Sequence, residues 1–127
     1  MKRCYLAGGM ESTGRADLNF PTFDFVAKKL RAAGYDIFSP VDLSRDLYGP
    51  AEPLAALPPE ERSEMRKKLL GRELKWICDQ AELVFMLPGW ENSPGAQAER
   101  MTALAVKVEV RDVPTEYLPV DLAGQKV

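Results

Sequence analysis

The stretch Leu83–Val106, LVFMLPGWENSPGAQAERMTALAV, decides how the chain is expected to fold. Its first five residues are apolar and are followed by a Pro-Gly pair, which is typical of a short strand buried on both faces of a parallel sheet. Ser93 is a favoured N-cap and Pro94 fits the first helical position, so a helix is expected to begin there. The sequence therefore predicts a strand, a loop and a helix in succession.

The start of this helix is a candidate anion site. Free backbone N–H groups near Gly95 would point into the loop, where the helix N-terminus favours a negative group such as a phosphate. Glu99 lies one turn further on, on the same face as Gly95, since residues i and i+4 stack in a helix. Helical spacing alone leaves open whether Glu99 serves a site or is an ordinary surface glutamate.

Strands and helices alternate along the rest of the chain. Strands are predicted at Arg3–Ala7, Tyr35–Ser39, Leu83–Leu87 and Lys107–Arg111, with an edge strand or a partner contact in Pro114–Leu122. Helices are predicted at 21–33, at about 60–80 and from Pro94 onward. This order predicts one domain, residues 1–127, with a doubly wound α/β fold and a mainly parallel sheet of four to five strands, Rossmann-like or flavodoxin-like. Ligands of such folds bind outside the carboxyl ends of the strands.

The segment 40–59 carries five prolines and little periodicity, so it is predicted to be a long connection without regular structure. Such a connection is usually a functional lid or a disordered loop. Asp42 and Tyr48 follow the second predicted strand directly, which favours the lid and makes Asp42 a candidate binding residue.

Composition excludes several kinds of function. The net charge of −2, with interspersed signs, argues against duplex nucleic acid as a partner. There is no long apolar run and no signal-like N-terminus, so no membrane partner and a cytoplasmic location are expected. The sequence has no histidine, which removes a Ser-His-Asp triad and histidine-ligated metals. Cys4 and Cys78 are predicted to be buried, reduced thiols, and we expect neither a metal nor a cofactor.

Glu73 and Glu99 are two acidic residues that fall beside apolar positions on their predicted helices. Glu73 falls on the apolar half of the predicted helix at 60–80, where a carboxylate is costly unless it is paired or faces a cavity. A salt bridge to Arg66 or another cation would be the structural explanation. Two carboxylates without histidine suit cleavage of a glycosidic bond, and a neighbouring anion site would suit a nucleotide. Trp90 could stack on a base or cap the core.

With these motifs in view, the chain resembles the nucleoside 2-deoxyribosyltransferase-like superfamily, and within it a group of small prokaryotic and phage proteins. The resemblance covers roughly residues 3 to 111, and its most specific part is the Ser-x-Gly-x-x-x-Glu spacing of Ser93, Gly95 and Glu99. The other matching motifs are Tyr5-Leu6-Ala7-Gly8, Asn19-Phe20-Pro21 and Leu87-Pro88-Gly89-Trp90.

The resemblance implies a reaction and a role for each of several residues. Glu99 would be the nucleophile that attacks the anomeric carbon, and water or a second base would resolve the glycosyl-enzyme. Ser93 and Gly95 would hold a 5′-phosphate, and Tyr5 would help to set the sugar and the nucleophile. The implied activity is that of an N-glycosidase or deoxyribosyltransferase, and the alternatives are a weakly catalytic nucleotide-binding module or a structural interaction protein.

Two positions depart from the pattern of the superfamily. An aspartate is usual where this chain has Glu73, and the monophosphate hydrolases carry a serine where this chain has Gly9, after Gly8. Glu73 is therefore the third expected catalytic residue, and Gly8 and Gly9 join the expected substrate-binding residues. Members are commonly dimeric, so the resemblance also implies a homodimer or higher homo-oligomer acting on a small nucleoside or nucleotide.

Overall fold

Four short parallel strands form one sheet in the computed structural model, which describes residues 1–120. The strands are β1 (Arg3–Ala7), β2 (Asp36–Phe38), β3 (Leu83–Met86) and β4 (Glu109–Asp112). Their order across the sheet is β2-β1-β3-β4, and every neighbouring pair is parallel. The chain winds one way from β1 to β2 and the other way from β3 to β4, so the switch point lies between β1 and β3. The predicted doubly wound α/β fold is confirmed.

Five helices cover the two faces of this sheet. They are α1 (Phe20–Ala32), α2 (Pro40–Tyr48), α3 (Ala51–Ala55), α4 (Pro59–Gln80) and α5 (Pro94–Ala105). Single 3₁₀ turns lie at Glu11–Thr13, Trp90–Asn92 and Thr115–Tyr117. None of the helices formed by residues 1–120 is long and apolar enough to cross a membrane.

Alternation along the central strand sorts its side chains into two cores. Cys4 and Leu6 of β1 join a cluster supplied by α1, α2 and α3. Tyr5 and Ala7 point to the opposite face, where they join Ile77 of α4 and residues of α5. Because successive side chains of a strand alternate in direction, Tyr5 is directed to the face that α4 and α5 cover.

The prediction of an unstructured segment at 40–59 is wrong, because this segment forms α2 and α3. Ser39 is the N-cap of α2 and accepts a hydrogen bond from the Val41 N–H at 3.3 Å, while Pro40 occupies the first turn. Proline is tolerated there since the first helical N–H groups have no partner within the helix. The prolines of this segment therefore begin and separate helices.

Three smaller predictions also need correction. Lys107 has a φ of 62° and belongs to the turn after α5, so β4 begins only at Glu109. In place of the expected edge strand after Pro114, residues 115–117 form a 3₁₀ turn, and 121–122 lie outside the described residues. Cys4 is buried and Cys78 is exposed, although both are free thiols. Cys78 follows the buried Ile77 and is turned about 100° around the helix, away from the sheet.

Gly8 marks a close approach between the ends of β1 and β3, which yields a test of the fold. A Cβ atom at this position would lie 2.7 Å from Leu87 Cδ1 and 2.9 Å from Leu87 Cβ. We expect Gly8→Ala to lower the free energy of unfolding by about 1–3 kcal/mol through overpacking. Gly71→Ala is the matched control, because a Cβ there meets no atom within 4 Å and alanine favours the α4 helix by about 1 kcal/mol. Urea unfolding measures both, and a Gly8→Ala protein as stable as Gly71→Ala would contradict the close approach.

Candidate active site

Tyr5 and two glutamates meet in the interior on the α4 and α5 side of the sheet. The Tyr5 hydroxyl donates a hydrogen bond to Glu99 Oε2 at 2.7 Å. Tyr5, Glu73 and Glu99 are 0%, 3% and 4% exposed, respectively. The carboxyl groups of Glu73 and Glu99 are close enough to share a hydrogen bond. The structure thus brings together the three residues expected to be catalytic, from β1, α4 and α5.

The two carboxyl groups keep a proton between them. Burial raises the pKa of Glu99 to about 7, although hydrogen bonds from Glu73 and Tyr5 act in the opposite direction. Burial and the nearby charge of Glu99 raise the pKa of Glu73 to about 10. Burial, followed by the charges of Glu99 and Glu73, raises the pKa of Tyr5 well above its ordinary value. Glu99 is therefore the first to ionise, while Glu73 holds its proton at neutral pH.

The alternative explanation of Glu73, a salt bridge to Arg66, does not match the structure. Arg66 pairs with Glu11 at 2.9 Å. An ionised Glu73 would leave its Oε2 atom without a hydrogen-bond donor among residues 1–120. Such an arrangement favours the protonated acid.

Glu73 and Glu99 line a cavity of about 680 Å³, a volume in the range of small-molecule binding sites. One part of its wall is apolar and comes from the loop after β1, from α1 and from α3 and α4. These apolar lining residues are Met10, Leu18, Phe20, Leu54, Met65, Leu69 and Leu70. The cavity offers an apolar surface and, at Glu73 and Glu99, two acids.

The start of α5 also opens onto this cavity. Ser93 caps the helix, since its Oγ accepts a hydrogen bond from the Ala96 N–H at 3.2 Å, and Pro94 occupies the first turn. Ser93 and Gly95 both line the cavity. As a hydroxyl oxygen can accept one bond while its proton is donated elsewhere, Ser93 retains a donor for a ligand.

Gly9 lies in the loop after β1, close to the side chains of Ser12 and Ser93. A Cβ atom at Gly9 would collide with Ser12 Oγ, and it would lie 3.6 Å from the Cβ of Ser93. The Asn19 side chain donates a hydrogen bond to the Gly9 carbonyl at 3.0 Å and fixes this loop against the start of α1. Gly8 and Ser12 line the cavity.

Three of the expected substrate-binding residues, Gly9, Asp42 and Trp90, are not among the residues that line the cavity, and neither is Tyr5, which reaches the site through its hydrogen bond to Glu99. Asp42 is paired with Arg31 at 2.9 Å and with Arg45 at 3.5 Å. Trp90 packs against the core on the Tyr5 side of the sheet, and the Arg100 guanidinium lies 4.9 Å from its ring centroid. These contacts favour the core-capping interpretation of Trp90.

Sequence reasoning missed a charged group on the cavity wall. Arg62 and Arg66 of α4 line the cavity together with Glu11. Arg66 donates from Nε and Nη2 to the two carboxylate oxygens of Glu11, both at 2.9 Å. The signal was present in the spacing, because Arg62, Arg66 and Glu73 are four and seven residues apart and so share one face of the helix.

Fold and site together define a doubly wound α/β protein with a buried pair of carboxyl groups in a cavity beside a helix start. The chain belongs to the family described as a domain of unknown function, DUF4406, whose family model matches residues 2–112. That match runs from before β1 to the end of β4 and includes every site residue named above. No curated protein and no solved structure matches the chain.

The raised pKa of Glu73 predicts that this buried acid lowers the free energy of unfolding at alkaline pH. A carboxyl group with a folded-state pKa above its unfolded value of about 4.5 lowers stability as the pH rises from 4.5 toward about 10. Glu73→Gln removes the group that ionises only on unfolding, so we expect it to raise the free energy of unfolding by about 1 kcal/mol or more at pH 8. The gain should vanish near pH 4.5. Thermal unfolding at both pH values measures it.

The control for this comparison is Glu116→Gln, a change at an exposed glutamate. It should leave the unfolding midpoint within about 1 °C of the wild type at both pH values, as surface changes usually do. A Glu73→Gln protein that is equally stable or less stable at pH 8 would show that Glu73 is not a buried acid held against its ionisation.

Proposed function

We propose that the protein cleaves the N-glycosidic bond of a nucleoside or its 5′-monophosphate, through a covalent intermediate on Glu99. The observation that carries this proposal is the buried group of Tyr5, Glu73 and Glu99, in which one acid ionises near neutral pH and the other keeps its proton. Two carboxyl groups with separated pKa values are the arrangement that glycosidic cleavage uses.

The proposed first step forms the glycosyl-enzyme. The Glu99 carboxylate attacks the anomeric carbon, the bond from that carbon to the base nitrogen breaks, and its electron pair leaves with the base. Glu73 supplies a proton to the departing base. The Tyr5 hydroxyl, 2.7 Å from Glu99 Oε2, holds the nucleophile in place.

The proposed second step releases the sugar. A water molecule attacks the anomeric carbon, passes its proton to the now ionised Glu73, and the ester bond to Glu99 breaks. A second base in place of water would give a transferase by the same route. Both outcomes restore the carboxylate of Glu99 and the proton of Glu73.

The start of α5 supports a phosphate on the substrate. Gly95 precedes Glu99 by one turn, and a helix N-terminus with a capping serine favours an anion. We therefore propose that Ser93 and Gly95 hold the 5′-phosphate, with the sugar between them and Glu99. Gly8 brings the loop after β1 onto the wall of the same cavity, and a Cβ atom at Gly9 would lie 3.6 Å from the Cβ of Ser93.

The sequence motifs support a place for this family in the nucleoside 2-deoxyribosyltransferase-like superfamily. A cytoplasmic location and a homodimer or higher homo-oligomer stay predictions of the sequence. One observation favours the second candidate, a nucleotide-binding or sensing module with weak catalysis. With its pKa at about 7, Glu99 is only partly ionised at neutral pH, which limits it as a nucleophile.

Product analysis tests the proposal directly. The protein is incubated with deoxynucleosides and their 5′-monophosphates, with and without an added free base, and products are separated by chromatography. We expect release of free base from at least one monophosphate. Glu99→Gln should lower that rate by about 10³-fold or more while the circular dichroism spectrum is kept, because it removes the nucleophile but not the fold.

The matched control is Glu91→Gln, at an exposed glutamate in the turn before α5, which should keep the wild-type rate. A fully active Glu99→Gln protein would remove Glu99 from the nucleophile role. Binding of a nucleotide without release of base from any member of the panel would favour the sensing module.

The pKa values also predict the pH dependence of the rate. Since Glu99 must be ionised, kcat/KM should rise through about pH 7, and it should fall as Glu73 loses its proton toward about pH 10. The Tyr5 hydrogen bond lowers the pKa of Glu99, so Tyr5→Phe should move the rising limb upward by about one pH unit. A uniform loss of rate at every pH, with the limb unmoved, would contradict this role for Tyr5.

A further inference from the structure

Two arginines lie on the cavity-facing side of α4, away from the carboxyl groups. Because a helix rises about 1.5 Å per residue, the backbone of Arg66 lies about 10 Å, and that of Arg62 about 16 Å, along the axis of α4 from Glu73. Both line the same cavity as Glu73 and Glu99. We call Arg62 and Arg66 the arginine pair.

The hydrogen-bonding capacity of the arginine pair exceeds what the described residues supply. Glu11 accepts two hydrogen bonds from Arg66, and its Oε2 lies 3.6 Å from Nη1 of Arg62. The Nε of Arg62 is buried and has no hydrogen-bond partner among residues 1–120. One carboxylate thus faces two guanidinium groups, which carry only donors. This group has a net positive charge, and its guanidinium groups, 32% exposed at Arg62 and 53% at Arg66, can take a further acceptor.

Apolar side chains separate the arginine pair from the carboxyl groups. Met65, Leu69 and Leu70 of α4 line the cavity between Arg62 and Glu73, and Phe20 and Leu54 add to the same wall. An apolar wall of this kind suits the faces of a flat ring.

The proposed function fixes how a ligand would run through this cavity, and the next inference rests on it. If the sugar lies at Glu99 and its phosphate at the start of α5, the base is the part of the ligand that occupies the rest of the cavity. We propose that the base lies along the apolar wall and that the arginine pair binds its far edge, selecting bases that carry oxo groups there.

The chemistry of guanidinium explains this selectivity. Arginine donates in a fork that matches paired acceptors, as on the O6 and N7 edge of guanine, and it also suits the O4 oxygen of uracil. Adenine and cytosine present an amino group at the corresponding position. An amino donor would face the guanidinium donors and leave them without an acceptor from the ligand, so adenine and cytosine should bind more weakly.

Binding of matched nucleotides tests this inference independently of turnover. Isothermal titration calorimetry gives the Kd of the Glu99→Gln protein, in which turnover should be lost, for the 5′-monophosphates of deoxyguanosine against deoxyadenosine, and of deoxyuridine against deoxycytidine. The variants below are made in this background. We expect the oxo member to bind about 10-fold tighter or more in at least one pair. Arg62→Gln and Arg66→Gln should bring that ratio close to one.

Two further variants separate recognition from a structural role. Arg72→Gln removes an exposed cation of α4 that does not line the cavity, and it should leave the ratio unchanged. Glu11→Gln removes the ion pairs but keeps both guanidinium groups, so the preference for oxo bases should persist. If the ion pairs only held the turn at Glu11–Thr13, Glu11→Gln and Arg66→Gln would weaken both members of each pair equally. That result would overturn the inference.

Other outcomes are equally decisive. The inference fails if no monophosphate of the panel binds, if the Glu99→Gln protein does not prefer an oxo base, or if the ratio survives in the arginine variants. It also fails if those variants abolish the preference for monophosphates over nucleosides, since the arginine pair would then bind the phosphate. Should Arg66→Gln not fold by circular dichroism, Arg66→Lys, which keeps the charge but not the fork, and Arg62→Gln decide the question.

The inference and the proposed function can fail separately. An arginine-dependent preference for oxo bases without release of base would keep the arginine site and reject the catalytic proposal. Release of base without such a preference would support the catalytic proposal and reject the arginine site.

Discussion

The buried hydrogen bond from the Tyr5 hydroxyl to Glu99 constrains the rest of the structure. It joins the central strand to α5, and it forms only if Tyr5 points to the α5 side of the sheet. A slip of one residue in the register of β1 would direct Tyr5 to the opposite core, with α1, and separate it from Glu99. The register of β1 against β3 and the hydrogen bond between Tyr5 and Glu99 therefore depend on each other.

Among residues 1–120, burial of two acids without a cation distinguishes this site from the paired carboxylates on the surface. Elsewhere, carboxylates such as Glu11 and Asp42 lie partly exposed and pair with arginines. Glu73 and Glu99 are instead screened by protein, and they lower the cost of burial by retaining a proton. Such burial lowers the stability of the fold, and it gives Glu99 a pKa near neutral pH.

Local sequence signals predicted most of the fold. They failed at residues 40–59, where the prolines obscured a helix-start signal that was interpreted correctly elsewhere. Ser93 and Pro94 were correctly interpreted as the start of a helix. Ser39 and Pro40 form the same pair and also start a helix, yet the prolines after them suggested an irregular segment. The tertiary partners of long side chains could not be predicted at all. Nothing in the local sequence shows that Asp42 turns toward Arg31 and away from the cavity.

The face of α4 that borders the cavity places a protonated acid at one end and a cation at the other. Glu73 near one end depends on burial for its raised pKa, whereas Arg66 near the other lies by an exposed carboxylate that can be exchanged. Exposed ion pairs are worth little in water, so a ligand acceptor can replace Glu11 beside Arg66 at small cost. Glu73 has no ion pair that a ligand could replace, because it meets no cation among residues 1–120. One helix therefore combines a fixed acid with an adaptable cationic end, and the apolar residues between them set the length of ligand that can touch both.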